Sequence, residues 1–354
     1  MTLPAGPLPS DMEGHQQDGD VVVAGDARQR FYDARGYGRP GTGDEVILAP
    51  VEAAHLLFRG DLEAVDEAGF ASFVAGRGDD FGARFLVYAD LRGRGFYLSP
   101  VRTDWVADPP ADGDFVVYAR GSGPPDGEVA YVVRAIGERT EVPATMLGDV
   151  VLAVADEEGE VTYLETGRPT PDGSNGASPP ATDGVLLADR VLVSEPPADL
   201  YHRGFYGQPL GGRGGDDELR MLQLSLVESA YLAGVDALAV EGGRAALLDR
   251  GRSVEGERFD RRLTVYAALR DRGIVPKTGF KFGADFRTYA AVDSVESLGH
   301  SEDLVRVLPP DHVFTPRELS LDVRLASGVR KRTVFALTDG TDGVTWLSAS
   351  RLTP

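Results

Sequence analysis

The chain has 354 residues, 42% of them hydrophobic and 26% charged, which is typical of a folded protein large enough for two or more domains. It has no cysteine, so disulfide bonds, thiolate zinc sites and cysteine nucleophiles are excluded. No apolar run of about 18 residues occurs, so no membrane-spanning helix is expected. A formal net charge of −20 argues against a general nucleic-acid binder.

The basic residues are nearly all arginine, and the only lysines are Lys277, Lys281 and Lys331. An acidic, lysine-poor surface keeps a protein soluble in a cytoplasm that holds molar salt. At about 1 M salt the Debye length falls to roughly 3 Å, so such a surface repels a polyanion only at close range. The composition therefore indicates a cytoplasmic protein of a halophile, with an acidic protein from an ordinary cytoplasm as the alternative.

Composition along the chain predicts four segments. Residues 1–20 are polar and lack the basic start and apolar core of a signal peptide, so we expect a disordered lead-in. Residues 167–184 (GRPTPDGSNGASPPATDG) are a Pro/Gly/Ser/Asp-rich linker without hydrophobic periodicity. This linker separates residues 21–166 from residues 185–354.

The two long segments are related by duplication. Similar stretches recur in the same order at offsets that grow from 169 through 176 and 178 to 183: residues 32–38 with 201–207, 51–54 with 227–230, 85–95 with 263–273, and 151–156 with 334–339. One chance match is ordinary in a Val/Ala-rich chain, but four collinear matches are not. The sequence therefore predicts two tandem mixed α/β repeats.

Hydrophobic periodicity predicts two helices early in the second repeat. The first is expected to be capped by Asp216 or Asp217 and to run to about Ala233. The second spans about 256–272 and stops at Gly273. The aromatic-rich residues 274–289 that follow are expected to form a hairpin.

Later in the repeat, residues 303–308 alternate as a strand. Thr315-Pro-Arg-Glu318 combines an N-terminal capping signature with proline at the first helical position. A helix is therefore expected to begin there and to end near Gly328. Residues 333–338 and 344–348 are expected to be two final strands joined by a hairpin turn.

Three polar residues of the second repeat match the needs of RNA cleavage without a metal ion. Such cleavage requires a base for the 2′-hydroxyl, an acid for the departing 5′-oxygen and a cation for the charge on phosphorus. Tyr289 ends the predicted hairpin, His300 lies in the polar loop that follows, and Lys331 follows the helix that begins near Thr315. The sequence offers one candidate for each role.

Around these residues the chain resembles the catalytic region of archaeal tRNA-splicing endonucleases. The resemblance rests on residues 276–287 (PKTGFKFGADFR), 299–302 (GHSE) and 323–331 (VRLASGVRK), with gaps of 11 and 31 residues from tyrosine to histidine and from histidine to lysine. It implies two homologous repeats, each with an N-terminal α/β subdomain and a C-terminal nuclease-like subdomain of a mixed β-sheet with helices. It also implies metal-independent cleavage of precursor tRNA at bulge-helix-bulge intron boundaries, giving 2′,3′-cyclic phosphate and 5′-hydroxyl ends.

By the same resemblance, Tyr289 becomes the general base, His300 the general acid and Lys331 the electrostatic stabiliser. A histidine with a pKa near 6.5 suits an acid. An ordinary tyrosine has a pKa of about 10, so a tyrosine base requires a nearby cation. Lys331 meets that requirement only if folding brings it close.

The resemblance also implies an RNA-binding surface. Arg324 and Trp346 fall where the family places a pair of flat side chains from different subunits around a bulged base. Such stacking is worth about 1–3 kcal/mol per base. Arg330 is assigned to the same surface. The partners implied are precursor tRNA and a second copy of the chain, and no metal or cofactor is implied.

Each of these residues alone has an ordinary structural explanation. A tyrosine that ends an aromatic strand is usually packing, and a loop histidine is usually a surface residue. The basic residues 330–332 complement the dipole of a helix end, and an aromatic residue at position 346 is usually core. Only the combination of these residues, in the order in which the family has them, favours catalysis. The role of His312 stays open.

The first repeat lacks the residues for this chemistry. It contains no lysine, the offset of 183 places Gly148 opposite Lys331, and residues 114–120, matched to 301–308, contain no histidine. The repeat is therefore expected to be noncatalytic, and the resemblance implies a homodimer that mimics a tetramer. The acidic turn at 156–160 matches a family loop that docks against a catalytic repeat.

Two other functions remain as alternatives. A metal-dependent nuclease needs clustered carboxylates to hold magnesium, and residues 324–331 contain no acidic side chain. A noncatalytic RNA-binding or assembly subunit would bind RNA without cutting it.

Overall fold

A computed structural model describes residues 12–102, 104–210, 219–341 and 343–354. Two repeats follow each other in the chain and are joined by residues 168–181, which are in irregular conformation. Within the described residues, no helix is long and apolar enough to cross a membrane.

The first repeat begins with a small sheet and three helices: β1 (Glu13–Gln17), β2 (Asp20–Val23), β3 (Arg39–Pro40), β4 (Val46–Leu48), α1 (Pro50–Arg59), β5 (Ala64–Val65), α2 (Phe70–Ala75) and α3 (Phe81–Gly93), with a π-helical turn at Arg28–Asp33. The sheet order is β3-β4-β2-β1-β5. Residues 1–11 of the expected disordered lead-in lie outside the described residues, and the expectation is wrong from residue 13 onward, where β1 begins. β1 pairs with β2 and β5 but exposes four of its five residues, which gives it the polar composition of a disordered segment.

The rest of the first repeat consists of strands and a short 3-10 turn at Ala144–Met146. The strands are β6 (Leu98–Pro100), β7 (Phe115–Tyr118), β8 (Val129–Gly137), β9 (Val142–Pro143), β10 (Val151–Ala155) and β11 (Val161–Gly167).

The second repeat begins with β12 (Thr182–Asp183), β13 (Val185–Leu186), β14 (Arg190–Ser194), α4 (Ala198–His202), β15 (Gln208–Pro209), β16 (Met221–Ser225), α5 (Leu226–Gly234), β17 (Leu238–Ala239), α6 (Gly243–Glu255) and α7 (Arg258–Arg270). α7 confirms the helix expected over 256–272.

The helix expected from residue 216 to 233 begins later than predicted. Asp216 and Asp217 lie outside the described residues. Residues 221–225 form β16, where Leu222 and Leu224 are buried on one face and the strand pairs with β14. The helix starts at Leu226 because Ser225 caps it, accepting the N–H of Glu228 at 3.2 Å.

The chain ends with β18 (Val275–Thr278), β19 (Phe286–Tyr289), β20 (Asp303–Leu308), β21 (Val313–Phe314), α8 (Pro316–Gly328), β22 (Arg332–Leu337) and β23 (Thr345–Leu352), with a 3-10 turn at Phe280–Phe282. The predicted start of α8 is confirmed, since Thr315 Oγ1 accepts the N–H of Glu318 at 3.2 Å. The side chain of Glu318 pairs with Arg306 at 2.9 Å. The predicted strand over 303–308 and the two final strands are also confirmed.

Strands of both repeats form one ten-stranded sheet among the described residues, in the order β18-β19-β20-β22-β23-β11-β10-β8-β7-β6. β8 and β10 are parallel, as are β20 and β22, and the other pairs are antiparallel. The repeats meet where β11 pairs with β23. Outward from this seam both halves have the same strand arrangement, which confirms the duplication.

A largely buried cluster of one glutamate, one arginine and two tyrosines also occurs twice, as Glu52, Arg92, Tyr37 and Tyr88 and as Glu228, Arg270, Tyr206 and Tyr266. In each repeat the arginine lies over a tyrosine ring, at 3.9 Å in the first and 3.8 Å in the second. In each repeat the glutamate accepts a glycine N–H, from Gly38 at 2.8 Å or Gly207 at 3.0 Å. The two repeats therefore share packing as well as topology.

Candidate active site

Three chain segments meet at one end of the sheet in the second repeat. β19 ends there at Tyr289, while the parallel strands β20 and β22 begin there. The N–H of Glu302 donates to the carbonyl of Thr288 at 3.0 Å, and the N–H of Arg332 donates to the carbonyl of Glu302 at 3.1 Å. The backbones next to Tyr289, His300 and Lys331 are therefore hydrogen-bonded neighbours.

Lys331 is bound directly to the segment that carries His300. Its ammonium group donates to the carbonyl of Ser301 and lies 5.9 Å from the ring centre of Phe282. Burial, followed by the positive charge of Arg287, lowers the pKa of Lys331 below the ordinary value for lysine, and Asp303 opposes this effect. The ammonium group is therefore held by a backbone carbonyl and lies within the field of a second cation.

The chain enters β22 through an unusual backbone conformation at Arg330. Its φ is +56°, a left-handed value that non-glycine residues adopt at a cost of about 1–2 kcal/mol. The turn follows the end of α8, and the N–H of Lys331 returns to the carbonyl of Ala326 at 2.9 Å. This turn aims Lys331 toward the segment around His300.

Tyr289 is held by aromatic packing and lies next to a cation. It is 6% exposed, and its ring packs edge-on against Phe205 at 5.6 Å between centroids. The guanidinium of Arg287 lies 5.8 Å from the same ring centre, and its Nε is buried without a hydrogen-bond partner among the described residues.

Arg287 is a residue that the sequence reasoning missed. It precedes Tyr289 by two positions on β19, so the two side chains share one face of the sheet. That spacing was visible in the sequence. The effect of Arg287 on the pKa of Lys331 depends on the pairing of β19, β20 and β22. That pairing was not visible in the sequence.

His300 lies in the loop formed by residues 290–302, and its side chain is exposed. Among the described residues its ring makes no hydrogen bond or ion pair. The loop itself is anchored, because the N–H of Val295 donates to the carbonyl of His202 at 2.9 Å and His202 Nδ1 contacts the carboxylate of Glu296. The imidazole is therefore free to contact a bound molecule from an anchored loop.

The three residues expected to bind RNA lie in different environments. Arg324 is exposed on α8, and Arg330 is exposed in the turn that follows the helix. Trp346 is 7% exposed in the core, and its indole N–H has no partner in the described part of the chain. It pairs with Ala336 on β22, roughly 13 Å along the strand from Arg332. Trp346 therefore lies at the opposite end of the strand from Lys331.

His312, whose role the sequence left open, lies where the two repeats meet. Its carbonyl accepts the N–H of Ala144 at 2.9 Å, and its ring packs against Phe314 at 4.5 Å between centroids. Within the described residues, no group of three or more histidine, aspartate or glutamate side chains is arranged to hold a metal ion.

The first repeat has a different set of residues at the equivalent positions. Asp114 and Asp285 both accept a backbone N–H of the next strand, so residues 114–118 correspond to residues 285–289. The earlier match of residues 114–120 to 301–308 is therefore wrong. A longer connection between β6 and β7 lowers the offset here to 171 (285 − 114), so the offsets do not grow steadily.

With this correspondence, Tyr118 of the first repeat takes the position of Tyr289. Its hydroxyl donates to Ser99 at 2.9 Å. The register of β8 and β10 places Glu128 near the position of His300 and Gly148 at that of Lys331. The first repeat therefore keeps the tyrosine but has neither the histidine nor the lysine.

Comparison with known proteins adds independent findings. Residues 259–346 match the model of the tRNA intron endonuclease catalytic C-terminal domain. Residues 12–74 and 182–249 both match the N-terminal domain of the same family. The N-terminal domain thus occurs once in each repeat.

Three relatives named tRNA-splicing endonuclease match over nearly the whole length of both chains. The chain is 61% identical to the tRNA-splicing endonuclease of Natronomonas pharaonis, over 97% of this chain and 100% of the relative. It is 60% identical to that of Haloarcula marismortui, over 95% and 98%, and 38% identical to that of Methanosarcina acetivorans, over 95% and 99%. The chain belongs to the tRNA intron endonuclease family.

Proposed function

We propose that the chain is a tRNA-splicing endonuclease that cuts precursor tRNA at bulge-helix-bulge intron boundaries without a metal ion. The observation that carries the proposal is the convergence of the Tyr289, His300 and Lys331 segments at one end of the sheet. Family membership supports the substrate class, and the set of a phenol, an imidazole and an ammonium group supports the reaction type.

In the proposed reaction, Tyr289 takes the proton of the 2′-hydroxyl while that oxygen attacks the adjacent phosphorus. The bond from phosphorus to the 5′-oxygen breaks, and His300 gives its proton to the departing oxygen. The products are a 2′,3′-cyclic phosphate and a 5′-hydroxyl, and no water is consumed, so the reaction is a lyase-type transesterification. Lys331 and Arg287 stabilise negative charge on the phosphorane.

The exposed guanidinium groups of Arg324 and Arg330 are proposed to bind the RNA. At Arg330 the left-handed backbone adds an argument, because a costly conformation at a non-glycine residue points to a role for its side chain. Stacking on Trp346 requires that its ring become accessible when RNA binds.

Arg330→Gly should separate stability from activity. Glycine adopts positive φ without strain, so we expect a free energy of unfolding that is unchanged or higher by up to about 1 kcal/mol. Loss of the guanidinium should weaken RNA binding severalfold. Urea unfolding and a gel-shift titration in high salt test the two effects. A variant that is both less stable and unchanged in RNA affinity would contradict the proposal.

We further propose that the protein works in the cytoplasm as a homodimer. The noncatalytic repeat supports this, since it supplies a second copy of the fold without a second set of catalytic residues. Light scattering should give about twice the chain mass of 37.8 kDa.

The direct test incubates the purified protein with an intron-bearing precursor tRNA in high salt plus a chelator. We expect two cuts, whose new 5′ ends accept a phosphate from a kinase without prior dephosphorylation and whose new 3′ ends carry a cyclic phosphate. Cleavage that stops in the chelator and returns with magnesium would support a metal-dependent nuclease. RNA that is bound but left uncut would support a noncatalytic subunit.

A further inference from the structure

The linker between the repeats contacts the loop that carries His300. The N–H of Ser174 donates to the carbonyl of Ala290 at 2.8 Å, and the N–H of Asn175 donates to the carbonyl of Gly273 at 2.9 Å. At Gly173 a Cβ atom would lie 2.5 Å from the Gly273 carbonyl oxygen, so no side chain fits there. Residues 173–175 are therefore packed tightly against the end of β19, although they belong to the segment whose composition predicts a linker.

Asn175 bridges two parts of the second repeat with its side chain. Its amide nitrogen donates to the carbonyl of Arg203 at 2.9 Å and to the carbonyl of Val292 at 3.0 Å. Arg203 follows α4, while Val292 is a buried residue of the loop at 290–302. A primary amide has two N–H donors, and this geometry uses both. Asn175 is also the only asparagine in the chain.

The remaining anchors of this loop lie on its other residues. Val295 is bonded to the carbonyl of His202, and Glu302 is bonded to the carbonyl of Thr288 in the sheet. His300 lies between these last two points and has no partner of its own in the described residues. The position of the His300 backbone is therefore set by the anchors of the loop, which also include the carbonyl of Ser301 bound by Lys331, and Asn175 supplies the anchor at Val292, in the part of the loop that follows Tyr289.

We infer that Asn175 is a positioning residue, and that residues 173–175 form a strap that places His300 to protonate the 5′-oxygen. This inference rests on the proposed function, since it assigns His300 the role of acid. A displacement of about 1 Å in a catalytic group is enough to lower a rate by as much as 10²-fold. A loop held at fewer points loses that precision without losing the RNA-binding surface on α8.

Asn175→Ala tests the strap. We expect a roughly tenfold lower single-turnover cleavage rate, with the RNA dissociation constant within about twofold of that of the unchanged protein. Hydrogen exchange should become faster in peptides covering 290–302 and stay unchanged in the ten-stranded sheet. Asn175→Asp keeps the shape but turns a carboxylate toward two carbonyl oxygens, so its rate should be at least as low.

Ser178→Ala, at an exposed linker residue outside the strap, is the matched control and should behave like the unchanged protein. An Asn175→Ala variant that cleaves normally while His300→Ala is inactive would overturn the strap and leave the proposed function intact. If the unchanged protein does not cleave RNA, the proposed function fails, and hydrogen exchange still decides whether Asn175 holds the loop. Faster exchange throughout the chain would indicate a general structural role and would also overturn the inference.

Discussion

Replacing His300 by alanine should lower the single-turnover rate of precursor tRNA cleavage by about 10²–10⁴-fold, the usual contribution of a general acid. The 5′-oxygen is a poor leaving group unless it is protonated, and no other histidine lies in the loop at 290–302. Because the His300 side chain is exposed and makes no hydrogen bond or ion pair with a described residue, its removal should not change the free energy of unfolding. The RNA dissociation constant should also stay within about threefold.

His15→Ala is the matched control. His15 is also exposed and lies in the first repeat, where its Nδ1 contacts Asp66 at 3.2 Å. This variant should cleave RNA at the unchanged rate. Equal rates for His300→Ala and His15→Ala, measured with end-labelled RNA at enzyme excess, would remove His300 from the mechanism.

Replacing Lys277 by methionine should destabilise the protein by about 3–5 kcal/mol at pH 8, the usual result of leaving a buried charge without its partner. The ammonium of Lys277 lies 3.2 Å from the carboxylate of Glu228 and donates to the carbonyls of Phe205 and Gly207. Burial alone would raise the pKa of Glu228, but Lys277 and two backbone N–H groups outweigh it and lower that pKa. Lys277→Met removes the largest of the contributions that lower the pKa of Glu228.

The first repeat contains the equivalent site without a lysine. Ser99, paired with β7 as Lys277 is with β19, takes the place of Lys277. There burial raises the pKa of Glu52 to about 7, even though Gly38 and Ala49 donate to its carboxylate. Glu228 should acquire a similarly raised pKa once Lys277 is absent.

The destabilisation should therefore depend on pH. In the unchanged protein the lowered pKa of Glu228 contributes stability above the unfolded value of about 4.5, and this is lost as pH falls. In Lys277→Met the pKa of Glu228 is expected to be raised, so the folded state keeps the carboxyl proton at pH values where the unfolded state has lost it. The free energy of unfolding therefore falls as pH rises from about 4.5 to 7. The difference between the two proteins should be small near pH 5 and largest near pH 8.

Urea unfolding at both pH values measures this difference. Lys281→Met is the control, because Lys281 is exposed, and it should change the free energy of unfolding by less than about 0.5 kcal/mol. A loss for Lys277→Met that is below 1 kcal/mol at pH 8, or that is equal at pH 5 and pH 8, would contradict the assignment of Lys277 as the partner of Glu228.

The sequence was most informative where local chemistry alone determines structure. Thr315 and Pro316 define the start of α8 because a side-chain cap and a fixed φ act within one turn of the chain. The segment at 221–225 was assigned to a helix because its strand character comes from pairing with β14, which is distant in sequence. The prediction of disorder failed at residues 13–17 for a related reason, since an exposed strand resembles a disordered segment in composition.

The candidate site could be predicted through its motifs, and its supporting contacts could not. Tyr289, His300 and Lys331 are separated by long gaps that only strand order brings together. The effect of Arg287 on Lys331 depends on that same order. Trp346 shows the converse limit, since the sequence allowed both a core position and an RNA-stacking position for it, and only the structure shows that its side chain is buried.

The seam between β11 and β23 has a consequence for how such a duplicated chain is maintained. β23 is hydrogen-bonded on both sides, to β22 and to β11. A second repeat released from the first would display an uncovered row of backbone donors and acceptors, the kind of edge that recruits other chains into aggregates. The first repeat thus covers this edge of the second, which gives selection a reason to keep its strands although it has neither the histidine nor the lysine of the candidate site.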